Sequence, residues 1–259
     1  MGSRFAFVTG AATHVGKVRA HNEDSLMARP DIGLWTVADG MGGYGGGDIA
    51  SAAVVAALAS LPAPPSAAAF LADFEARIES VNADLRALSA TRGTTGTTLA
   101  SLLIFEAHFA CVWCGDSRVY RLRGGVLAQL SRDHSEVQDL VDRGVLNASE
   151  ARTWPRRNVV TRALGAVDSP ELEIVDGPVL AGDHFLLCSD GLTGHVEDAE
   201  IGARLGGADP QAICDELVAL TLERGATDNV SIVVVFCEPA DDRTVLSAAP
   251  FLRDPAGRN

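Results

Sequence analysis

Four aspartates in this chain share one setting. Asp39 closes the apolar run LWTVAD, Asp116 closes CVWCGD, Asp190 closes HFLLCSD, and Asp228 precedes Asn229 and the run VSIVVVF. Any one of them has an ordinary explanation, since aspartate at a strand end bonds its own turn. Together they suggest more, because strand ends on one rim of a sheet can converge. Carboxylates brought close cannot all stay ionised without cations. An oxygen-only donor set, with no accompanying His or Cys pattern, selects Mg2+, Mn2+ or Ca2+ over zinc.

Two neighbouring features bear on that chemistry. Gly40, Gly42 and Gly45 satisfy GxGxxG between a strand and a helix, which is the setting of a dinucleotide fingerprint. Asp39 would then press a carboxylate on the pyrophosphate, and no acid lies between Ile49 and Ala72 to take the ribose. No GK[ST] follows, so a Walker loop is excluded. The glycines are read instead as letting backbone carbonyls approach an ion at Asp39. Arg19, in GKVRAHNEDS, stands just before Glu23 and Asp24. An arginine there is either a surface salt-bridge partner or a bidentate grip on phosphate. The lone CxxC of Cys111 and Cys114 lies in an apolar stretch and lacks a second pair, so buried thiols are expected rather than zinc ligands.

The elements that must position these residues are legible in outline. Strands are expected over Arg4–Thr9, Ser25–Ala28 and Leu34–Ala38. An Ala-rich helix over Ile49–Leu61 is apolar nearly all round and is expected to be well buried. A second helix, Ala67–Leu88, carries Phe70, Phe74, Ile78, Val81 and Leu85 at helical spacing. Strands resume from Thr97 to Leu130, with turns at Glu106–Ala107, Gly115–Asp116 and Gly124–Gly125. A polar, helix-prone insertion covers Ser135–Arg157. Strands follow near Leu172–Val175 and His184–Cys188, then a helix at Pro210–Arg224 and a last strand at Val230–Cys237. Strand blocks alternating with helix pairs suit an α+β layered sandwich and not a βαβ repeat.

The bulk numbers bound the rest. With 259 residues, 47% of them hydrophobic, the chain can bury one sizeable core, and no linker divides it. A single domain is expected over 1–238, with a loosely ordered tail over 239–259. The net charge of −13 comes with no basic patch, which argues against nucleic acid. No run of 18 apolar residues is present, so no membrane partner is expected. Met1–Val8 has no apolar core with a cleavage site. Five cysteines without framework spacing point to a reducing, cytoplasmic compartment. A monomer is expected.

Taken as a set, the motifs resemble the PP2C-type (PPM) metal-dependent protein phosphatases in their compact bacterial form. The stretches are GKVRAHNEDS, VADGMGGYGGGDIAS, GTTGTTLASLLI, CGDSRVYRLRGG, LSRDHS, RNVVTRALG, LLCSDGL and ATDNVSIVVV, in family order from Gly16 to Val235. The resemblance implies a four-layer α/β/β/α sandwich of two stacked antiparallel sheets. It implies hydrolysis of phosphoserine and phosphothreonine in proteins by a metal-activated water, opposing a Ser/Thr kinase. Two Mn2+ or Mg2+ ions would be tightly held and a third more weakly. Asp39 resembles the carboxylate bridging two metals, with the Gly40 carbonyl beside it. Asp190 and Asp228 resemble ligands of the first metal and Asp116 a ligand of the third. Glu23, Asp24 and Asn229 resemble outer groups, Arg19 the phosphate-binding arginine, and residues 135–158 a flap beside the site. Two positions depart from the pattern. Met41 stands where the eukaryotic branch has a histidine proposed as general acid, and Trp154 where the flap often has histidine.

Overall fold

The computed structural model describes residues 5–42 and 46–240. Gly45 and most of the expected tail lie outside the described residues. In chain order the elements begin with β1 (Phe5–His14), β2 (Asp24–Arg29) and β3 (Leu34–Gly42), then α1 (Gly46–Ala59) and α2 (Ala67–Arg92). A run of strands follows: β4 (Thr95–Thr97), β5 (Leu99–Phe105), β6 (His108–Cys114), β7 (Arg118–Arg123) and β8 (Val126–Gln129). Next come α3 (Glu136–Asp142), α4 (Ala148–Arg152), β9 (Glu173–Pro178) and β10 (His184–Cys188). The last elements are α5 (Asp190–Thr193), α6 (Asp198–Leu205), α7 (Pro210–Glu223) and β11 (Val230–Pro239).

Two antiparallel sheets result. One has the order β1-β11-β10-β7-β8, the other β2-β3-β5-β6-β9, with β4 added on β3. Strand periodicity explains why they stack. Along β11, Val233, Val235 and Cys237 point one way and Val230, Ile232, Val234 and Phe236 the other, all of them buried. A strand covered on both faces needs a continuous apolar run, and VSIVVVF supplies it.

Three cores follow. The inner one, between the sheets, packs Trp35, Leu102, Phe109 and Trp113 against Val119, Phe185 and Val235. One outer core sets Leu34, Leu99 and Leu103 against Phe70, Phe74 and Ile78 of α2 and Val54 and Leu58 of α1. The other sets Tyr120, Leu186 and Ile232 against Ile201 of α6 and Ile213 and Leu217 of α7. Four layers around three cores is the α+β sandwich expected.

Several details differ from expectation: β1 runs on to His14, β3 passes through Asp39 to Gly42, and the short helix α5 is new. Helix α1 starts at Gly46, inside the glycine-rich stretch, and buries one side only: Ala50, Val54 and Leu58 face the core while Ile49, Ala52 and Ala56 are exposed. It lies in an outer layer, where alanine is tolerated facing water. Helix α6 is an addition. Its signal was the Glu197/Glu200 capping box with Ile201 and Leu205 four residues apart. Strand β11 runs to Pro239, opposite Phe5, one residue into the expected tail. The CxxC cysteines point to opposite faces of β6, Cys111 to the inner core and Cys114 to the outer one. They cannot chelate one ion, and all five cysteines are free and buried.

Candidate metal centre

One rim of the sandwich gathers the aspartates. In one sheet, Cys188 at the end of β10 pairs with Ile232 near the start of β11 and with Arg118 at the start of β7. That brings the flanking residues Asp190, Asp228 and Asp116 to a common edge. In the other sheet Asp24 and Asp39 are direct cross-strand partners. Two buried contacts join the rims: Ser189 Oγ donates to Asp24 Oδ2 at 2.7 Å, and the Thr98 and Ser117 hydroxyls meet at 2.7 Å.

The backbone around Asp39 is locked. Its amide donates to Thr98 Oγ1 at 2.9 Å, and its carbonyl accepts from the Thr98 amide at 2.8 Å and Thr97 Oγ1 at 3.0 Å. Gly40 donates to the Glu23 carbonyl at 3.1 Å. No side chain fits at Gly40, where a Cβ would lie 2.1 Å from the Gly47 carbonyl oxygen. The glycines of this stretch therefore serve close backbone approach. Gly40 and Gly42 continue strand β3, pairing with Thr97 and Thr95.

Asp190 opens the short helix α5, and Gly191 is required beside it. A Cβ there would sit 1.8 Å from the Asn229 carbonyl oxygen. Asn229 itself acts as a staple. Its Oδ1 accepts from the Glu23 amide at 2.8 Å, and its Nδ2 donates to the Val15 and His21 carbonyls at 2.8 and 3.0 Å. Its amide is thus committed to main chain, and it acts on the site by holding the Glu23 loop. Arg19 Nη2 meets Asp228 Oδ2 at 2.6 Å, with the arginine side chain 54% exposed.

The carboxyls strain against one another. Burial, then the charges of Asp24 and Asp190, pushes Asp39 well above the ordinary carboxylate range. Burial, then Asp190 and Asp133, does the same to Asp116, which also accepts from its own amide. Burial, then Asp228, raises Asp190 to about 6, against a hydrogen bond with Asp39. Burial raises Asp24 to about 7. Asp39 and Asp190 nevertheless keep a partly exposed edge toward the cleft, since protein surrounds them without sealing them.

These residues suit divalent cations in chemistry but not in present arrangement. Among the described residues, no three His, Cys, Asp or Glu side chains form a ready coordination shell, and Asp228 is turned to Arg19 and Asp24 to Ser189. The donor chemistry does fit: every candidate ligand is oxygen, and the carboxylates outnumber the one arginine paired with them. Asp24 Oδ1 is buried with no partner, the kind of atom an ordered water or ion-bound water satisfies. The glycine cradle at Gly40 and Gly47 leaves room only for main chain beside the Glu23 carboxyl.

A pH effect follows. The folded chain keeps protons on Asp24 and Asp190 that the unfolded chain releases near 3.8. More protons are bound in the folded state across that window, so stability falls as pH rises from about 4 to about 7. In EDTA the melting temperature should drop over this range, and Mn2+ should raise it more at pH ~7.5 than at pH ~5. A metal-free melting temperature that climbs across the window would contradict this.

A cleft of about 860 Å³ leads from the rim. Residues 135–158, with α3 and α4, form one wall, and α5 and the start of α6 form the other. Arg152 bridges the walls to Glu197 at 2.5 Å, and Arg118 pairs with Asp133 at 2.6 Å on the floor.

Residues 13–211 match the family Protein phosphatase 2C. The chain belongs to that family. Among PP2C proteins of known name, it is 39% identical to the serine/threonine protein phosphatase PstP of Mycobacterium tuberculosis, over 85% of this chain and 43% of PstP. The chain thus spans less than half the length of that relative. It is 31% identical to the serine/threonine phosphatase stp of Listeria monocytogenes, over 86% of this chain and 93% of stp. Among solved PP2C structures, PppA, described as a key regulatory component of type VI secretion in Pseudomonas aeruginosa, superposes with a TM-score of 0.84 at 43% identity. That match covers 89% of this chain and 97% of PppA. The catalytic domain of PstP in complex with two manganese ions superposes with a TM-score of 0.79 at 35% identity, covering 90% and 99%.

The structure of this PP2C chain brings Asp24, Asp39, Asp116, Asp190, Asp228, Glu23, Gly40, Asn229 and Arg19 to one rim. It also adds residues that sequence reasoning passed over. Thr98 locks Asp39, Ser189 holds Asp24, and Gly47 packs on Gly40. The doubled GTT of GTTGTTLASLLI was the available signal for the first of these.

Proposed function

We propose that this chain hydrolyses phosphoserine and phosphothreonine in proteins, using two Mn2+ or Mg2+ ions and a third, weaker one. The observation that carries the proposal is the convergence of five aspartates, with Arg19 beside them, at the head of a peptide-sized cleft. Asp39, the Gly40 carbonyl, Asp190 and Asp228 would hold the tight pair, and Asp116 the third. When bound, such ions acidify water and neutralise phosphoryl oxygens.

The chain's own residues supply orientation and charge. Thr97 and Thr98 fix the backbone of Asp39, so its carboxyl projects from an immobile point, and preorganisation of this kind is where electrostatic catalysis gains most. Asp24, whose burial keeps it protonated to about pH 7, stands behind it beside Glu23. Arg19 is exposed enough to leave Asp228 and grip two phosphate oxygens side by side. The walls of the cleft hold the flanking peptide.

The names of the relatives support serine/threonine phosphatase activity, and the manganese in the PstP structure supports the metal. We place the substrates among proteins modified by a bacterial Ser/Thr kinase, and the chain in the cytoplasm as a monomer. The likeness to PppA makes type VI secretion components the first substrates to examine. Among the described residues, no helix is long and apolar enough to cross a membrane.

Phosphate release from a phosphothreonine peptide tests the proposal. It should vanish in EDTA and return with Mn2+ or Mg2+ but not Zn2+; full turnover after exhaustive chelation would overturn it. Arg19→Ala should raise KM about tenfold with a smaller fall in kcat, since the phosphate is gripped before and during reaction. An unchanged KM would leave Arg19 a salt-bridge residue.

A further inference from the structure

His134, in LSRDHS, lies at the root of the flap and is 6% exposed. Its ring and its backbone both hold one residue, Gly115. The Gly115 amide donates to His134 Nδ1 at 3.1 Å, and the His134 amide donates to the Gly115 carbonyl at 2.9 Å. Gly115 has φ +115°, and a Cβ there would meet the Thr98 side chain at 2.7 Å. The turn before Asp116 is therefore fixed from two sides, by Thr98 and by His134. Because Nδ1 accepts, the ring proton resides on Nε2. That atom lies 3.1 Å from Glu173 Oε1, short of an aligned hydrogen bond, and Arg162 holds the same oxygen at 3.0 Å. The ring stacks on Trp113, with centroids 6.2 Å apart.

The same residue grips both roots of the flap. The His134 carbonyl accepts from the Thr161 amide at 2.8 Å. The next residue, Ser135, bridges to Val160 and caps α3 through the Gln138 amide at 3.3 Å. The Glu136 amide donates to the Val159 carbonyl at 2.9 Å.

We propose that His134 is a positioning residue, which couples the placement of the flap to the placement of the Asp116 carboxylate. It touches neither substrate nor reacting atoms and acts through Gly115 on one side and Thr161 on the other. The inference rests on the role proposed above for Asp116. A displaced flap root would pull the His134 backbone, and Gly115 and Asp116 with it. Peptide contacts in the cleft would thereby be felt at the Asp116 carboxylate.

The test separates the clamp from simple packing. His134→Leu keeps apolar bulk but offers no acceptor to the Gly115 amide. His134→Asn places an amide oxygen close to the position of Nδ1 and retains one. With the full chain and Mn2+, His134→Leu should lower kcat on a phosphothreonine peptide about 10- to 100-fold, the usual range for groups that orient a ligand, with KM little changed. His134→Asn should recover most of that loss. Amide hydrogen exchange in EDTA gives a readout free of turnover: Gly115 should exchange at least about tenfold faster in His134→Leu and near the wild-type rate in His134→Asn. If both variants lose activity together, in step with melting temperature, His134 is packing and the proposal is overturned. Unchanged Gly115 exchange in His134→Leu overturns it equally. Wild type without metal-dependent turnover would sink the phosphatase reading instead, and the exchange comparison would then decide the clamp alone.

Discussion

Asp39→Asn is expected to cut kcat on phosphopeptides by about 10³-fold or more, equivalent to ~4 kcal/mol of transition-state stabilisation. The substitution keeps shape and the backbone bonds to Thr97 and Thr98. It removes only the charge, at the carboxylate facing Asp24, Asp190, Asp116 and Asp228 together. If Asp39 is a shared ligand as proposed, a neutral amide in its place would weaken the hold on both ions. Stability should move the opposite way. Without metal, Asp39 is a buried acid under repulsion, and the amide of the variant can donate to Asp190. In EDTA near neutral pH, Asp39→Asn should melt above wild type while losing most of the Mn2+-induced rise. Such an exchange of stability against activity is expected where function concentrates like charges. A variant with normal kcat, or one that melts lower in EDTA, would show that Asp39 serves strand β3 structurally and not the metals.

Asp116→Ala separates two roles that the geometry combines. The carboxyl accepts from its own amide, as a turn aspartate does, and it is buried among other carboxyls, as a ligand would be. As a turn residue, its loss should cost about 1 kcal/mol and leave the chemistry intact. As a ligand of the weaker ion, its loss should spare the fold and the two tight metals but remove most kcat on phosphopeptides. Met41 carries no transferable proton, so in the proposed reading water held beside Asp116 is the candidate for leaving-group protonation. An aryl phosphate with an acidic leaving group needs less protonation and should suffer less. Titration calorimetry counting two retained Mn2+ sites, with a large loss on peptide and a small one on aryl phosphate, is the expected pattern. Equal small losses with a lowered melting temperature would favour the turn.

What the chain reveals unaided follows the range of the forces involved. The strand VSIVVVF and the helix carrying Phe70, Phe74 and Ile78 are local patterns and are found where expected. The Ala-rich helix misleads because alanine counts as apolar yet is tolerated facing water, so composition overstated its burial. The four aspartates are visible as strand-end residues, but their convergence depends on register. Asp24 faces Asp39 only because β2 and β3 pair as they do, and Asp190 reaches Asp228 only because β10 lies beside β11. His134 stood in a quoted motif, but its hold on Gly115 spans 19 residues, and nothing in LSRDHS marks it. Asn229 is expected as an outer group, and the contact it makes, its amide bonded to the loop carrying Glu23, depends on residues more than 200 positions away.

Strands β1 and β11 lie side by side, with Phe5 opposite Pro239 at one end and His14 opposite Val230 at the other. The aspartate rim is at the second end. At about 3.3 Å per residue, the ten residues of β11 carry the chain roughly 30 Å away from it. Polypeptide fused at either position would leave from the pole opposite the cleft, its two attachment points within one strand spacing. A regulatory module, a membrane tether or an affinity tag could be appended there without crossing the path of a substrate. A short peptide joining the same two points would close the chain into a ring, leaving surface turns such as Gly124–Gly125 as places to open it.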